Sequence, residues 1–125
     1  PLKNLTNLEL IECADNPVSD IEALTYLPNL EYLDVSNTQL RDFEQVQHII
    51  GLETLICPGT QIKNLKYLEY LANLKQLECF NTSVKNLQPV EDLNLNKLKC
   101  YNTKISQKKI EKYKAKHPDC EVVFY

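Results

Sequence analysis

The chain has 125 residues, 43% hydrophobic and 25% charged, a composition ordinary for one globular domain and unlike a disordered segment. No apolar run approaches the roughly 20 residues that a membrane helix needs, and no basic start followed by an apolar segment marks a secretory leader. The formal charge of -3 hides a split: residues 1–60 hold ten acids against two bases, and residues 61–125 hold seven acids against twelve.

Residues 1–7 read as the tail of a repeat. Leu2 and Leu5 stand 22 residues before Leu24 and Leu27, which close the next unit. A chain that opens this way is expected to be a piece of a longer protein. The alternative is that its first strand is left exposed, with an unpaired edge open to self-association.

Residues 8–105 hold five copies of one template. The first is Leu8, Ile11, Cys13, Asn16, Val18, and the second is Leu30, Leu33, Val35, Thr38, Leu40. The third is Leu52, Leu55, Cys57, Thr60, Ile62, and the fourth is Leu74, Leu77, Cys79, Thr82, Val84. The fifth is Leu95, Leu98, Cys100, Thr103, Ile105. Self-similarity at one fixed period is the mark of a stacked solenoid.

Each copy opens as a short strand. Leu33 and Val35 point inward while Tyr32, Asp34 and Ser36 point outward, the period of two that a strand requires. An Asn-Thr or Gly-Thr turn follows, whose Thr can bond backbone groups of the turn and of neighbouring coils. A second apolar set then returns the chain along the outside. Ile62, Leu65, Leu68 and Leu71 have the spacing of three that suits a short helix or 3₁₀ turn. Phe43, Val46, Ile49 and Ile50 read as more properly helical, and Pro89 sits early in its turn.

Residues 106–125 diverge into a cap. Ser106 is an N-cap candidate for the helix QKKIEKYKAK, with Ile110 and Tyr113 as its apolar face, and Pro118 stops it. The closing CEVVFY reads as a final strand, with Cys120 continuing the inner cysteine row and Val122 also inward.

Cys13, Cys57, Cys79 and Cys100 share one repeat position with Val35. A slot that accepts Cys or Val is a small core slot, and free Cys packs as a small hydrophobe. A straight ladder does not converge ligands tetrahedrally, so no metal site is expected. A disulfide between neighbours about 4.8 Å apart along the sheet is not excluded by distance alone.

The unit LxxLxLxxNxL reads here as LEYLDVSNTQL, LETLICPGTQI, LKQLECFNTSV and LNKLKCYNTKI. In this the chain resembles bacterial leucine-rich repeat proteins of the short, 22-residue, internalin-like class. The closing HPDCEV also resembles a terminal cap of some members. Asn at the ninth position survives only as Asn16, with Thr at 38, 60, 82 and 103. The resemblance implies an α/β fold: a right-handed solenoid with a parallel concave sheet and short helices or 3₁₀ turns outside. It further implies protein binding on the concave face, with no partner named.

The outward strand positions form three rows. They are Leu10, Tyr32, Thr54, Gln76, Lys97; Glu12, Asp34, Ile56, Glu78, Lys99; and Ala14, Ser36, Pro58, Phe80, Tyr101. Ile56, Pro58, Phe80 and Tyr101 are expected to make an apolar and aromatic patch open to water, a mark of interaction sites. Acids Glu12, Asp34 and Glu78 lie on one side of it and bases Lys97 and Lys99 on the other. A partner with a basic lobe, an apolar anchor and an acidic lobe would fit.

Other classes have less support. Glu12 and Asp34 resemble a carboxylate pair, but an open face does not desolvate either one, so no enzyme is expected. His48 and His117 have no nucleophile at a recognisable spacing, and two glycines cannot build a phosphate loop. No cofactor or small-molecule substrate is indicated. A purely structural spacer is the alternative reading. Lys108, Lys109, Lys112, Lys114 and Lys116 raise an anionic partner or nucleic acid, which an acidic overall charge and scarce arginine disfavour.

Overall fold

The computed structural model describes residues 7–125, so the expected repeat tail lies outside the described residues apart from Asn7. Six three-residue strands run in one parallel sheet in chain order. They are β1 Leu10–Glu12, β2 Tyr32–Asp34, β3 Thr54–Ile56, β4 Gln76–Glu78, β5 Lys97–Lys99 and β6 Glu121–Val123. The register is strict: Ile11, Leu33, Leu55, Leu77, Leu98 and Val122 are successive partners. Leucines 22 or 21 residues apart therefore stack directly over one another.

The return path is 3₁₀ throughout, at Glu22–Tyr26, Glu44–His48, Lys66–Leu68 and Gln88–Val90. The second copy is no exception to this, contrary to its helical reading. Phe43, Val46 and Ile49 are buried at a spacing of three, while Ile50 is 73% exposed. Three residues per turn match the 3₁₀ period, and Ile50 falls off that stripe. Each of these segments is opened by an Asx turn. The side chains of Asp20, Asp42, Asn64 and Asn86 accept from the amides of Glu22, Glu44, Lys66 and Gln88 at 2.8–3.0 Å. These bonds satisfy amides that a one-turn helix leaves without partners.

The turn after each strand has its own device. Asp15, Asn37, Gly59, Asn81 and Asn102 all have positive φ, between 50° and 69°. Gly, Asn and Asp are the residues that enter this left-handed region at least cost. Thr38, Thr60, Thr82 and Thr103 then donate to the carbonyl three residues back at 2.6–2.8 Å. The threonines thus fasten their own turns, and the coils are linked instead by the asparagines. Asn37 Nδ2 donates to Asp15 Oδ1 at 3.0 Å and Asn102 Nδ2 to Asn81 Oδ1 at 2.7 Å.

The core is one continuous column. Leu30, Leu33, Leu52, Leu55 and Leu77 are fully buried, as are Val35, Cys57 and Cys79. Leu8, Ile11, Cys13 and Val18 are only half-buried, because one described neighbour covers that coil. At the other end the one α-helix among the described residues, α1 Gln107–Lys116, lies over the last coil. Ser106 caps it by accepting from Lys109 N at 3.3 Å, and Ile110 and Tyr113 are its buried face. His117 braces the cap. Its two ring nitrogens face the carbonyls of Tyr113 and Glu91 at 3.0 and 2.7 Å, and its ring stacks on Tyr113 at 4.0 Å.

Cys120 does not continue the cysteine row. The register sets Val122 beside Leu98 and Val123 beside Lys99, and Cys100 N donates to Val123 O at 2.8 Å. The strand position after Cys100 therefore belongs to Phe124, and Cys120 falls two places before Val122. All five cysteines are free thiols.

Two substitutions test this construction. A Cβ on Gly59 would come within 2.0 Å of Asn37 Oδ1 at a φ of +69°. Gly59→Ala is expected to destabilise by about 1–2 kcal/mol and Gly59→Asn by less, as chemical denaturation would show. The hydroxyl of Tyr113 is buried without a hydrogen-bond partner among the described residues. Tyr113→Phe is therefore expected to leave the melting temperature unchanged or to raise it, by up to about 1 kcal/mol of stability.

Candidate concave recognition face

The ladder brings the outward positions together as the repeat spacing requires. Leu10, Tyr32, Thr54, Gln76 and Lys97 are successive partners, as are Glu12, Asp34, Ile56, Glu78 and Lys99. The third row follows from bonds just beyond the strands: Asp15 N to Ser36 O at 2.9 Å, Asn37 N to Pro58 O at 2.9 Å, and Asn81 N to Tyr101 O at 3.1 Å. Strand β6 extends the first two rows with Glu121 and Val123, and Tyr125 stands two residues beyond Val123. No LxxL pair marks β6, so nothing in its residues announces this register. The alternation of CEVVFY was the available signal.

The apolar patch is less open than expected. Ile56, Phe80 and Tyr101 are half-buried, and Pro58 is buried. Strands about 4.8 Å apart shield each other's flanks, and Pro58 lies in the row between Ser36 and the larger Phe80. Phe80 and Tyr101 stack with ring centroids 4.4 Å apart and an interplanar angle of 13°. That geometry is worth roughly 0.5–1.5 kcal/mol beyond burial. It presents one rigid aromatic plate in place of two separate rings.

The charges also sort differently from the expected two lobes. Lys99 approaches Glu78 at 3.9 Å and Lys97 approaches Glu121 at 4.0 Å. Such pairs are worth little in stability, but they leave the basic side of the face largely internally matched. Asp34 is held by its neighbour, accepting from Ser36 N at 2.9 Å and from Ser36 Oγ at the same Oδ1. Tyr32 sits among Asp34, Glu12 and Glu78. Burial first, then these carboxylates, push its phenol above the ordinary range. The face is thus acidic on β1 and β2, apolar to aromatic at its middle, and paired on β4 to β6.

The interior beneath it carries thiols that burial keeps protonated. Burial raises Cys57 to about 12 and Cys100 to about 11, and it raises Cys79 as well. Sγ of Cys57 donates to Glu78 O at 3.3 Å and Sγ of Cys13 to Asp34 O at 3.3 Å. Among the described residues, no group of three or more His, Cys, Asp or Glu converges as metal ligands would. Nor is any helix long and apolar enough to cross a membrane.

A family profile described as leucine-rich repeats, two copies, matches residues 2–48. Among curated proteins none matches the chain by sequence. Solved structures are similar over nearly the whole chain. An internalin (inlF) of Listeria monocytogenes matches 98% of the chain with a TM-score of 0.80 and 21% identity. A leucine-rich repeat protein of Leptospira interrogans matches 98% with a TM-score of 0.76 and 22% identity. An internalin C2 of Listeria monocytogenes matches 97% with a TM-score of 0.71 and 24% identity. The chain spans only 42%, 38% and 62% of those three proteins.

The repeat match over residues 2–48 and the solved structures together show that this chain has a leucine-rich repeat solenoid fold, an architecture that generally serves protein interaction. Its solenoid is of the internalin-like type found in those bacterial proteins.

The thiols give a direct test. In the folded chain Cys57 and Cys100 keep their protons well above the ordinary thiol value of 9.0, whereas an unfolded thiol loses its proton near that value. Their contribution to stability is therefore full below about pH 9 and falls as pH rises toward about 11–12. Cys57→Val, which copies Val35, is expected to flatten this alkaline loss in melting curves. It should change neutral stability by less than about 1.5 kcal/mol. Alkylation mapped by mass spectrometry is expected to reach half-buried Cys13 and Cys120 first.

Proposed function

We propose that the concave face of β1–β6 is a recognition surface for another protein, and that the chain acts by binding rather than by catalysis. One observation carries this. The inward positions repeat almost without change, from Leu33 to Leu55 to Leu77 to Leu98, while the outward positions in register with them differ at every step. Packing explains a repeated series. It gives no reason for Tyr32, Thr54, Gln76 and Lys97 to stand in one row.

The Phe80–Tyr101 plate and Ile56 form the apolar anchor, since aromatic groups held rigidly near the centre of a surface are the usual hot spots. Glu12, Asp34 and Glu78 favour a partner segment of positive charge beside that anchor. Lys97 and Lys99, already matched by Glu121 and Glu78, contribute to fit more than to attraction. Catalysis has no support on this face. Asp34 and Glu12 lie on neighbouring strands of an open sheet, and none of the described residues encloses them.

Partner binding is the measurement that decides. Phe80→Ala with Tyr101→Ala is expected to weaken it by about tenfold or more, and charge reversal at Asp34 and Glu78 to slow association. A spacer would tolerate all four substitutions, so unchanged affinity in variants that still melt cooperatively would overturn the reading.

A further inference from the structure

The basic residues divide into two populations by position. Lys75, Lys97, Lys99 and Lys116 each meet a carboxylate: Glu53 at 3.3 Å, Glu121 at 4.0 Å, Glu78 at 3.9 Å, and Glu91 with Asp92 at 3.2 and 3.6 Å. Arg41, Lys63, Lys85, Lys104, Lys108 and Lys112, like Lys66, Lys109 and Lys114, are exposed, and among the described residues none of the nine has an ion-pair partner. Arg41, Lys63 and Lys85 line one edge of the solenoid, where the chain leaves the sheet for the 3₁₀ side, with Lys104 bonded to that edge through its amide and Lys112 in a furrow at its end.

The placement follows from the repeat. Arg41, Lys63 and Lys85 occupy one repeat position on successive coils. Gln61 N donates to Leu40 O at 3.4 Å and Lys104 N to Val84 O at 2.8 Å, so these coils touch along this edge. Lys109 Nζ donates to Lys85 O at 2.9 Å, which brings the start of α1 onto the same line. Furrows run between the coils here. A cavity of about 550 Å³ has Arg41, Lys63 and Lys66 among its lining residues. A smaller one of about 150 Å³, where α1 meets the last coil, includes Lys109 and Lys112. The acids in or beside them are outnumbered by the bases, although an amide hydrogen bond does not cancel a carboxylate's charge. Asp42 accepts from Glu44 N, Glu91 is held by Lys116, and Glu111 accepts from Gln107.

We propose that this edge binds an extended acidic polypeptide segment, at a site separate from the concave face. Like charges stacked coil upon coil repel one another until an anion lies across them. The groups are almost all lysines on flexible stems, which suit scattered carboxylates better than the forked recognition of phosphate that arginine provides. A nucleic-acid strand would also want exposed rings for stacking. Of the rings lining these furrows, Phe43 and Tyr113 are buried, and Tyr67 is half-buried with Lys66 Nζ 4.9 Å over it.

The test uses the full chain and a labelled ten-residue oligoglutamate, followed by fluorescence anisotropy at about 20 and about 200 mM salt. Binding is expected at low salt and should weaken steeply at high salt. Lys63→Gln with Lys85→Gln should reduce it about fivefold or more, while Lys97→Gln with Lys99→Gln, equal in charge change, should leave it nearly intact. All four positions are solvent-accessible, and melting curves confirm that the variants fold. No binding at low salt would overturn the proposal. Equal loss in both double variants would reduce the effect to net charge and overturn it too. Tighter binding of a ten-residue oligothymidylate than of oligoglutamate, abolished by the edge variant, would assign the edge to nucleic acid instead.

Discussion

The parallel ladder between adjacent coils is the constraint on which everything else rests. A three-residue strand makes too few hydrogen bonds to persist alone, and a single coil cannot bury its own leucines. Pairing Leu33 with Leu55, and Leu55 with Leu77, solves both problems at once. It satisfies backbone groups on both sides of each inner strand and seals one layer of core against the next. Stability in such an array is a sum of coils and their interfaces. This is why Leu8 and Ile11, with one described neighbour, are only half-buried while the middle coils are closed.

Fixed register has a second consequence, on polar groups. Whatever stands at a given repeat position is repeated about every 4.8 Å along the sheet. At the turn this stacks Asn37 on Asp15 and Asn102 on Asn81, in backbone conformations that most residues avoid. On the concave face it stacks Phe80 on Tyr101. At the descending edge it aligns Arg41, Lys63 and Lys85 on successive coils, none of them with an ion-pair partner among the described residues.

Much of this was legible because leucine spacing is a strong, repeated signal. Five strands, their inward and outward residues, the buried cysteine slot and the capping helix with Ser106, Ile110 and Tyr113 follow from periodicity and capping chemistry. The Asx turns at Asp20, Asp42, Asn64 and Asn86 were present as a 22-residue series. A polar residue before an apolar one nevertheless reads as mere surface until its carboxyl or amide oxygen is found on the backbone. Cys120 misled because an inward cysteine near the end of the chain suggests the next member of a row. Register, which the residues of β6 do not announce, gave that place to Phe124.

The amino-acid sequence determined the solenoid, its period and which face each strand residue takes, because burial of leucine at fixed spacing admits one stacking. Tertiary structure alone decided how much of the concave patch reaches water. Pro58 is buried and Phe80 and Tyr101 lie face to face, since exposure depends on neighbours from other coils. It also decided which lysines are neutralised. Lys97 and Lys99 meet carboxylates brought to them by the sheet, while among the described residues Lys63 and Lys85 do not, and no count of charges along the chain distinguishes the two.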